Sequence, residues 1–328
     1  MAQLSQVMTI YVGSTIYIAG ITGGFLNILV FLTLRTFNEK SCGFYLIAMS
    51  FVNIGNLTTG LLSRILISGF HLDWTLISPF YCKFRWYGLQ FGVLTSFTCT
   101  CLAATDQYLS TNSRIEWRRW SSIKIAHRVM AAFIIGWLFH GIPYLLYFDL
   151  VQSPIINKLV CASVNKIFQY YHSYGYLIIV SGIIPLVITG IFGLLARKNL
   201  RHSANGTISL VQRYLDQQLT KMVLSQLFYN FIFTFPYTML TMILSFIPTV
   251  NDPLVNAKLD FANVMTVLIY YMSFASPFYI YTYTSQRFRQ QLTYVLLDVH
   301  LKRWRRNPRI IINPVASSQT EKGETSVV

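Results

Sequence analysis

Residues 10–34 read IYVGSTIYIAGITGGFLNILVFLTL. No charged side chain occurs in that run, nor anywhere from Met1 to Leu34. A helix needs about 20 mostly apolar residues to cross the hydrocarbon core of a bilayer, and this run exceeds that. It lacks the basic flank of a cleaved leader and is longer than a leader's apolar region, so it is expected to be a retained first span. Six more stretches share its character: Gly43–Ser68, Cys82–Tyr108, Ile125–Tyr147, Tyr171–Ala196, Leu219–Ile247 and Leu259–Tyr283. Short hydrophilic segments separate them, and no repeat is evident. The pattern predicts an all-α integral membrane protein, a seven-transmembrane helix bundle in one domain.

Composition agrees. Of 328 residues, 54% are apolar or aromatic and 11% charged, against about 25% charged in ordinary globular domains. A soluble chain of this length could not cover its surface with so few charges, and a disordered one would not be so apolar. The five cysteines include no CxxC pair, which excludes a disulfide framework and the common zinc sites.

The net charge of +15 is informative once it is partitioned. Alternate loops and the C-terminal segment hold 20 of the Lys and Arg residues, and the opposite loops hold five: Lys83, Arg85, Lys158, Lys166 and Lys258. Arg64 lies within the second span. The positive-inside rule then puts the N-terminus outside and the C-terminus in the cytoplasm. The basicity describes topology and an anionic inner leaflet, with no nucleic acid as partner.

Residues 1–9 are expected to be a short extracellular N-terminus, 10–283 the seven-helix domain, 284–300 an amphipathic surface helix and 301–328 a cytoplasmic tail. Phe288, Leu292, Val295, Leu296 and Val299 fall on one helical face. Arg287, Arg289, Lys302, Arg303, Arg305 and Arg306 flank it. Such a helix abutting a span should lie on the inner leaflet, although a plain cytoplasmic helix would show the same spacing. Pro143, Pro185, Pro236 and Pro277 fall inside the last four spans, where they either bend helices around a cavity or serve packing alone.

These features in this order resemble the rhodopsin-like G-protein-coupled receptors, over about residues 10–300. Asn27 lies in a Gly- and Val-containing setting like that of the family's first helix. Cys82 opens span three and Asp106-Gln107-Tyr108 closes it, at the family's spacing. Trp137 matches its lone helix-four Trp, and Pro185 and Pro236 match its helix-five and helix-six prolines. Ser276-Pro277-Phe278-Tyr279-Ile280-Tyr281 is similar to a degraded Asn-Pro-x-x-Tyr, and Phe288-Arg289 to the start of the surface helix. Ser285-Gln286-Arg287-Phe288-Arg289 resembles the invertebrate peptide-receptor branch, FMRFamide-type receptors included.

The resemblance implies a receptor for an extracellular ligand that signals through a heterotrimeric G protein at the plasma membrane, without a cofactor and without enzymatic activity. It implies a disulfide between Cys82 and Cys161 at the bundle mouth, on the side that the charge partition makes oxidising. It places Arg64, Leu89, Gln90, Tyr237 and Tyr270 toward a ligand pocket. Leu89 stands where amine receptors carry an Asp, which argues against a monoamine. Span seven has no Lys for a retinal Schiff base. The outer segments are short, which points to a short peptide or a small molecule. Asp106, Gln107, Tyr108 and Asp216 should face the G protein, and Asn27, Asn53, Trp137, Pro185, Pro236, Ser276, Pro277 and Tyr281 should serve packing or switching.

Departures from the pattern concentrate on the switch. Gln107 replaces the family's Arg, which removes a charge-assisted restraint and leaves Asp216 without the usual Arg partner. Asn53 replaces the helix-two Asp, a poorer sodium site. Phe233-Thr234-Phe235-Pro236 lacks the helix-six Trp, and Tyr281 lies one residue too far from Pro277. A non-coupling homologue is therefore an alternative. A seven-span transporter or channel is a rival from another class, but it would be expected to show repeats and midplane charges.

Arg64 is a functional candidate because an intramembrane charge is costly. It could receive a ligand carboxylate or amide carbonyl, snorkel, or pair with Asp73 or Asp260. The terminal Thr325-Ser326-Val327-Val328 is similar to a class I PDZ-domain ligand through Ser326 and Val328, a pattern that also arises by chance. The sequons at Asn56 and Asn205 fall in a span and an inner loop, so neither should carry a glycan.

Overall fold

A computed structural model describes residues 2–33, 40–152, 159–202, 210–246 and 253–299. Asn205, the basic residues after 300, Ser326 and Val328 lie outside the described residues. The long helices are α1 (Ala2–Thr33), α2 (Ser41–Gly69), α3 (Pro79–Thr111), α4 (Ile123–Tyr147), α5 (Lys166–Arg201), α6 (Leu210–Phe246) and α7 (Pro253–Ala275). After Ser276 the chain turns by 54° and continues as Pro277–Thr284. Helix α8 (Gln286–Thr293) follows. Six of these helices are long and apolar enough to cross a membrane, or seven if the bent α7 pair is one span. The protein is an α-helical, multi-pass membrane protein.

The surface supports that conclusion. Phe25, Leu29, Phe51, Phe133, Phe139, Val187, Ile191 and Leu194 are all exposed, and apolar area on that scale suits lipid, not water. The interior carries the polar residues. Asn27, Asn53, Asn56, Gln90, Gln107 and Asp216 are buried.

Helix α3 contacts α2, α4, α5 and α6, while α1 packs on α2 and α7, and α6 on α5 and α7. Small residues set the closest approach. A Cβ on Gly20 would come within 2.8 Å of the Ala275 Cβ, so α1 and α7 meet backbone to backbone there. Trp137 Nε1 donates to Thr98 Oγ1 at 3.0 Å and ties α4 to α3. Asn53 Oδ1 accepts from Ser96 Oγ at 2.6 Å between α2 and α3.

Helix α1 begins at Ala2, ahead of the apolar run, because nothing in Ala2–Thr9 breaks a helix and Gln6 Nε2 donates to the Gly69 carbonyl at 2.8 Å. Three of the four prolines coincide with irregular backbone. Pro143 follows a break at Gly141, Pro185 follows a π-helical stretch over Tyr171–Ile183, and Pro277 follows the α7 bend. Helix α6 runs through Pro236 uninterrupted. Helix α2 also widens into π-helical turns, at Leu57–Leu62 and Ile65–Gly69, on either side of the positions around Arg64.

In α8, Phe288 is fully buried and meets Phe31 at 5.5 Å and Tyr281 at 6.0 Å between ring centroids. Val295 turns inward, whereas Leu296 stays exposed. Arg289 Nη1 caps the end of the preceding helix by donating to the Thr282 and Tyr283 carbonyls. Between α4 and α5 an antiparallel hairpin pairs β1 (Phe148–Gln152) with β2 (Leu159–Ser163), Leu150 opposite Cys161.

Candidate functional site: a polar cavity under a pinned hairpin

Cys82 opens α3 and is bonded to Cys161 of β2, with Cα atoms 5.8 Å apart. Tyr144, Phe148 and Phe168 surround the buried Cys82. Lys83 Nζ adds an ion pair to Asp149 Oδ2 at 3.2 Å. The Leu150 N–H and this lysine hold the Asp149 carboxyl below the usual carboxylate range. The hairpin is thus fastened to the start of α3.

Beneath it lies a cavity of about 140 Å³. All five residues nominated from sequence for a ligand pocket line it: Arg64, Leu89, Gln90, Tyr237 and Tyr270. Four separate helices bring them together. The cavity also takes in residues that the sequence reading passed over, chiefly Asn56, Arg85, Trp86, His172 and Tyr271. Arg85 stood among the outer-loop charges, yet it lies inside α3. Helical spacing could have found it, because Arg85 and Leu89 are four apart, as are Trp86 and Gln90, and such residues share a face.

The π-helical stretch of α5 carries His172 and Tyr176 to this wall, and Arg64 sits between the two wide turns of α2, in keeping with the frequent placement of π-turns at functional sites. Gly60 lies in the first of them. A Cβ there would collide with the Tyr271 hydroxyl and with Leu89 Cδ2. Gly92 in the same way leaves room for the Asn56 side chain.

The polar groups fall into two sets. One set is satisfied. Gln90 Nε2 donates to His140 Nδ1 at 2.6 Å, which assigns the ring proton to Nε2, where it is donated to the Tyr171 hydroxyl. The Tyr144 hydroxyl meets His172 Nδ1 at 2.9 Å. The other set has no hydrogen-bond partner among the described residues: Arg64 Nε, Arg85 Nε, Trp86 Nε1, Gln90 Oε1 and both polar atoms of Asn56. Buried polar atoms are rarely left unpaired, and here six of them line one cavity.

Neither acid proposed for Arg64 reaches it. Asp73 Oδ1 is taken by the Thr75 backbone and hydroxyl. Asp260 lines a different groove with Gln3 and Gln6.

The opposite end of the helices holds the second cluster. Thr220 Oγ1 donates to Gln107 Oε1 at 3.2 Å, joining α6 to α3. Asp106 accepts from Ser121 Oγ at 2.7 Å. Asp216 does have a partner in place of the missing arginine: Lys40 Nζ lies 3.1 Å from its Oδ1. Tyr108 packs edgewise on Trp117 and against Phe192. Gln218 Oε1 accepts from the Gln286 backbone, and Arg287 lies 5.6 Å above the Tyr214 ring, so α8 is joined to α6.

Three further buried groups sit between these clusters with no hydrogen-bond partner: Asn27 Oδ1, Ser276 Oγ and the Tyr281 hydroxyl. No protein-family model matches the chain, and no curated protein matches it.

Proposed function

We propose that the chain is a rhodopsin-like receptor, a seven-helix bundle with its N-terminus outside the plasma membrane. It binds an extracellular small molecule or short peptide and signals through a heterotrimeric G protein. The observation that carries this reading is the cavity. Arg64, nominated as an intramembrane charge, and Leu89, Gln90, Tyr237 and Tyr270, nominated by the resemblance, converge on it from four spans beneath the Cys82–Cys161 hairpin. The cluster at the other end of α3 and α6 supplies the switch. Opening that end requires α6 to leave Gln107 and Lys40, and ligand contacts at Tyr237 on the same helix would bias that equilibrium.

Around the switch, the exposed basic residues of the inner loops and α8 would meet acidic protein surfaces and anionic inner-leaflet lipid. Ser326 and Val328 would offer a PDZ-domain ligand. The test is guanine-nucleotide exchange on a panel of G proteins, with a peptide and metabolite library, for the native chain and for Gln107→Arg. Ligand-dependent exchange by the native chain supports the receptor. Solute or ion flux with no exchange under any condition would overturn it.

A second reading is a homologue that does not couple, favoured by the neutral Gln107–Thr220 contact where the family uses charge. Exchange by Gln107→Arg alone would select it.

A further inference from the structure

Two guanidinium groups, from Arg64 on α2 and Arg85 on α3, line one small cavity within a membrane protein. Among the described residues, no Asp or Glu lines that cavity with them. Among the described acids near this end, Asp73 is hydrogen-bonded within its own loop, Asp149 is held by Lys83, and Asp260 lines the separate groove with Gln3 and Gln6. Among the described residues, both Nε–H groups are without a hydrogen-bond partner, as is the neighbouring Trp86 Nε1–H.

Both arginines are half-buried with their Nε atoms fully enclosed. A charge drawn part-way out of water without a partner is costly, and two like charges in one enclosure are costlier. Such an arrangement is stable where an anion completes it. A planar guanidinium is the cation best matched to a carboxylate, which it can grip through two parallel bonds.

The rest of the wall describes the remainder of the ligand. Leu89, Val93, Val267 and Phe274 are apolar, and the Tyr237 and Tyr270 rings pack on each other with centroids 4.9 Å apart and planes tilted by 41°. A cavity of about 150 Å³ admits benzene, so a ring-sized group fits in the space here. Trp86 and His172 line both this cavity and a second groove beside Phe148 and Cys161. A ligand longer than one ring can therefore continue toward the hairpin.

We propose that the cavity takes an organic anion: a carboxylate held between Arg64 and Arg85, with Trp86 Nε1 as a third donor, carried on an aromatic or aliphatic body that lies among the tyrosines. The ligand is then a small apolar acid or a peptide with a free C-terminal carboxylate, and not an amidated peptide. This assignment rests on the cavity being the ligand site of the proposed receptor.

The experiment uses the full chain in lipid nanodiscs and reads its thermal unfolding midpoint and the ligand affinity. The probes are benzoate, 3-phenylpropionate, indole-3-acetate and N-acetylglycylphenylalanine, each beside its primary amide, with phenethylamine as the cationic control. The expected result is a higher midpoint with acids and little or none with amides or the amine. The dipeptide acid exceeding the small acids would identify a peptide end as the source of the carboxylate.

Arg64→Gln and Arg85→Gln should each weaken the best acid by about tenfold or more, the size of one lost charge-assisted bond. The acid-against-amide comparison on the native chain does not depend on either variant folding. Equal shifts by acid and amide, preference for the amine, no shift by any acid, or undiminished acid affinity in both variants would overturn the proposal. Nucleotide exchange measured on the same discs separates the two readings. Acid binding without exchange leaves the anion site and removes the coupled receptor. Exchange driven only by amides or amines leaves the receptor and removes the anion site.

Discussion

The buried Asp216 carboxylate at the start of α6 accepts a 3.1 Å ion pair from Lys40, which lies 176 residues away at the head of α2. With Thr220 donating to Gln107 one turn further along α6, it holds the ends of α2, α3 and α6 together. The family that the chain resembles draws such a restraint from an arginine on the third helix. Here the cation comes from the second helix's approach, and the third helix contributes a neutral amide.

Breaking the ion pair should loosen this end. Asp216 is 2% exposed and Lys40 27%, so Asp216→Asn is expected to cost about 1–3 kcal/mol, less than a fully buried pair because water still reaches the lysine. Basal nucleotide exchange should rise. The reversed pair, Lys40→Asp with Asp216→Lys, should recover part of both effects, and a double-mutant cycle on unfolding midpoints would measure it. Additive costs would show that the two residues do not couple.

Thr220→Val keeps the shape and removes the hydroxyl. It leaves Gln107 Oε1 without its donor, at a cost of about 1 kcal/mol. Because the lost contact spans α3 and α6, basal exchange should increase while ligand affinity at the far end changes little.

The Cys82–Cys161 bond closes a sequence separation of 79 residues. In a free chain such a loop would contribute about 4 kcal/mol. The helices between the cysteines are already confined by the bilayer, so Cys161→Ala should cost less than that. Its larger effect should be on the cavity, since the hairpin that carries Phe148 over Trp86, 4.8 Å away, loses its fastening. Ligand affinity should fall more than the unfolding midpoint does. Mild reduction of the native protein should reproduce the same ratio.

Gly60→Ala and Gly20→Ala separate binding from packing. The first inserts a methyl group against the Tyr271 hydroxyl and Leu89 in the cavity wall, and the second drives α1 from α7 at Ala275. Overpacking of this kind costs about 1–3 kcal/mol. Gly60→Ala should lower ligand affinity at near-normal expression, whereas Gly20→Ala should lower the midpoint and spare affinity. Equal loss of affinity in both would contradict this division.

Asn56 is buried against Gly92 inside α2, so the glycosylation machinery has no access to it. The Lys and Arg partition predicts that Asn205 lies in an inner loop, so treatment with an N-glycosidase should leave the electrophoretic mobility unchanged. A shift would place the loop at Asn205 outside.

Much of the protein was legible residue by residue. A span announces itself by length and apolarity, since the hydrocarbon core imposes both on one segment at a time. Three of the four prolines at irregular backbone and the buried Phe288 of α8 are local properties of the same kind. The reading failed where position depends on other helices. Arg85 looks like a loop charge until α3 starts at Pro79 and turns it inward beside Arg64. Lys40 looks like one more inner-loop cation until α6 sets Asp216 against it. The π-helical stretch of α5 opens at Tyr171, so ideal helical spacing does not describe the segment that carries His172 and Tyr176. The sequence alone therefore determined a membrane-spanning helical chain, its helix segments and the nominees for its pocket. Only the tertiary structure decided that two arginines share that pocket with no acid among the described residues, because the partner of an enclosed charge is set by helix packing and not by neighbours along the chain.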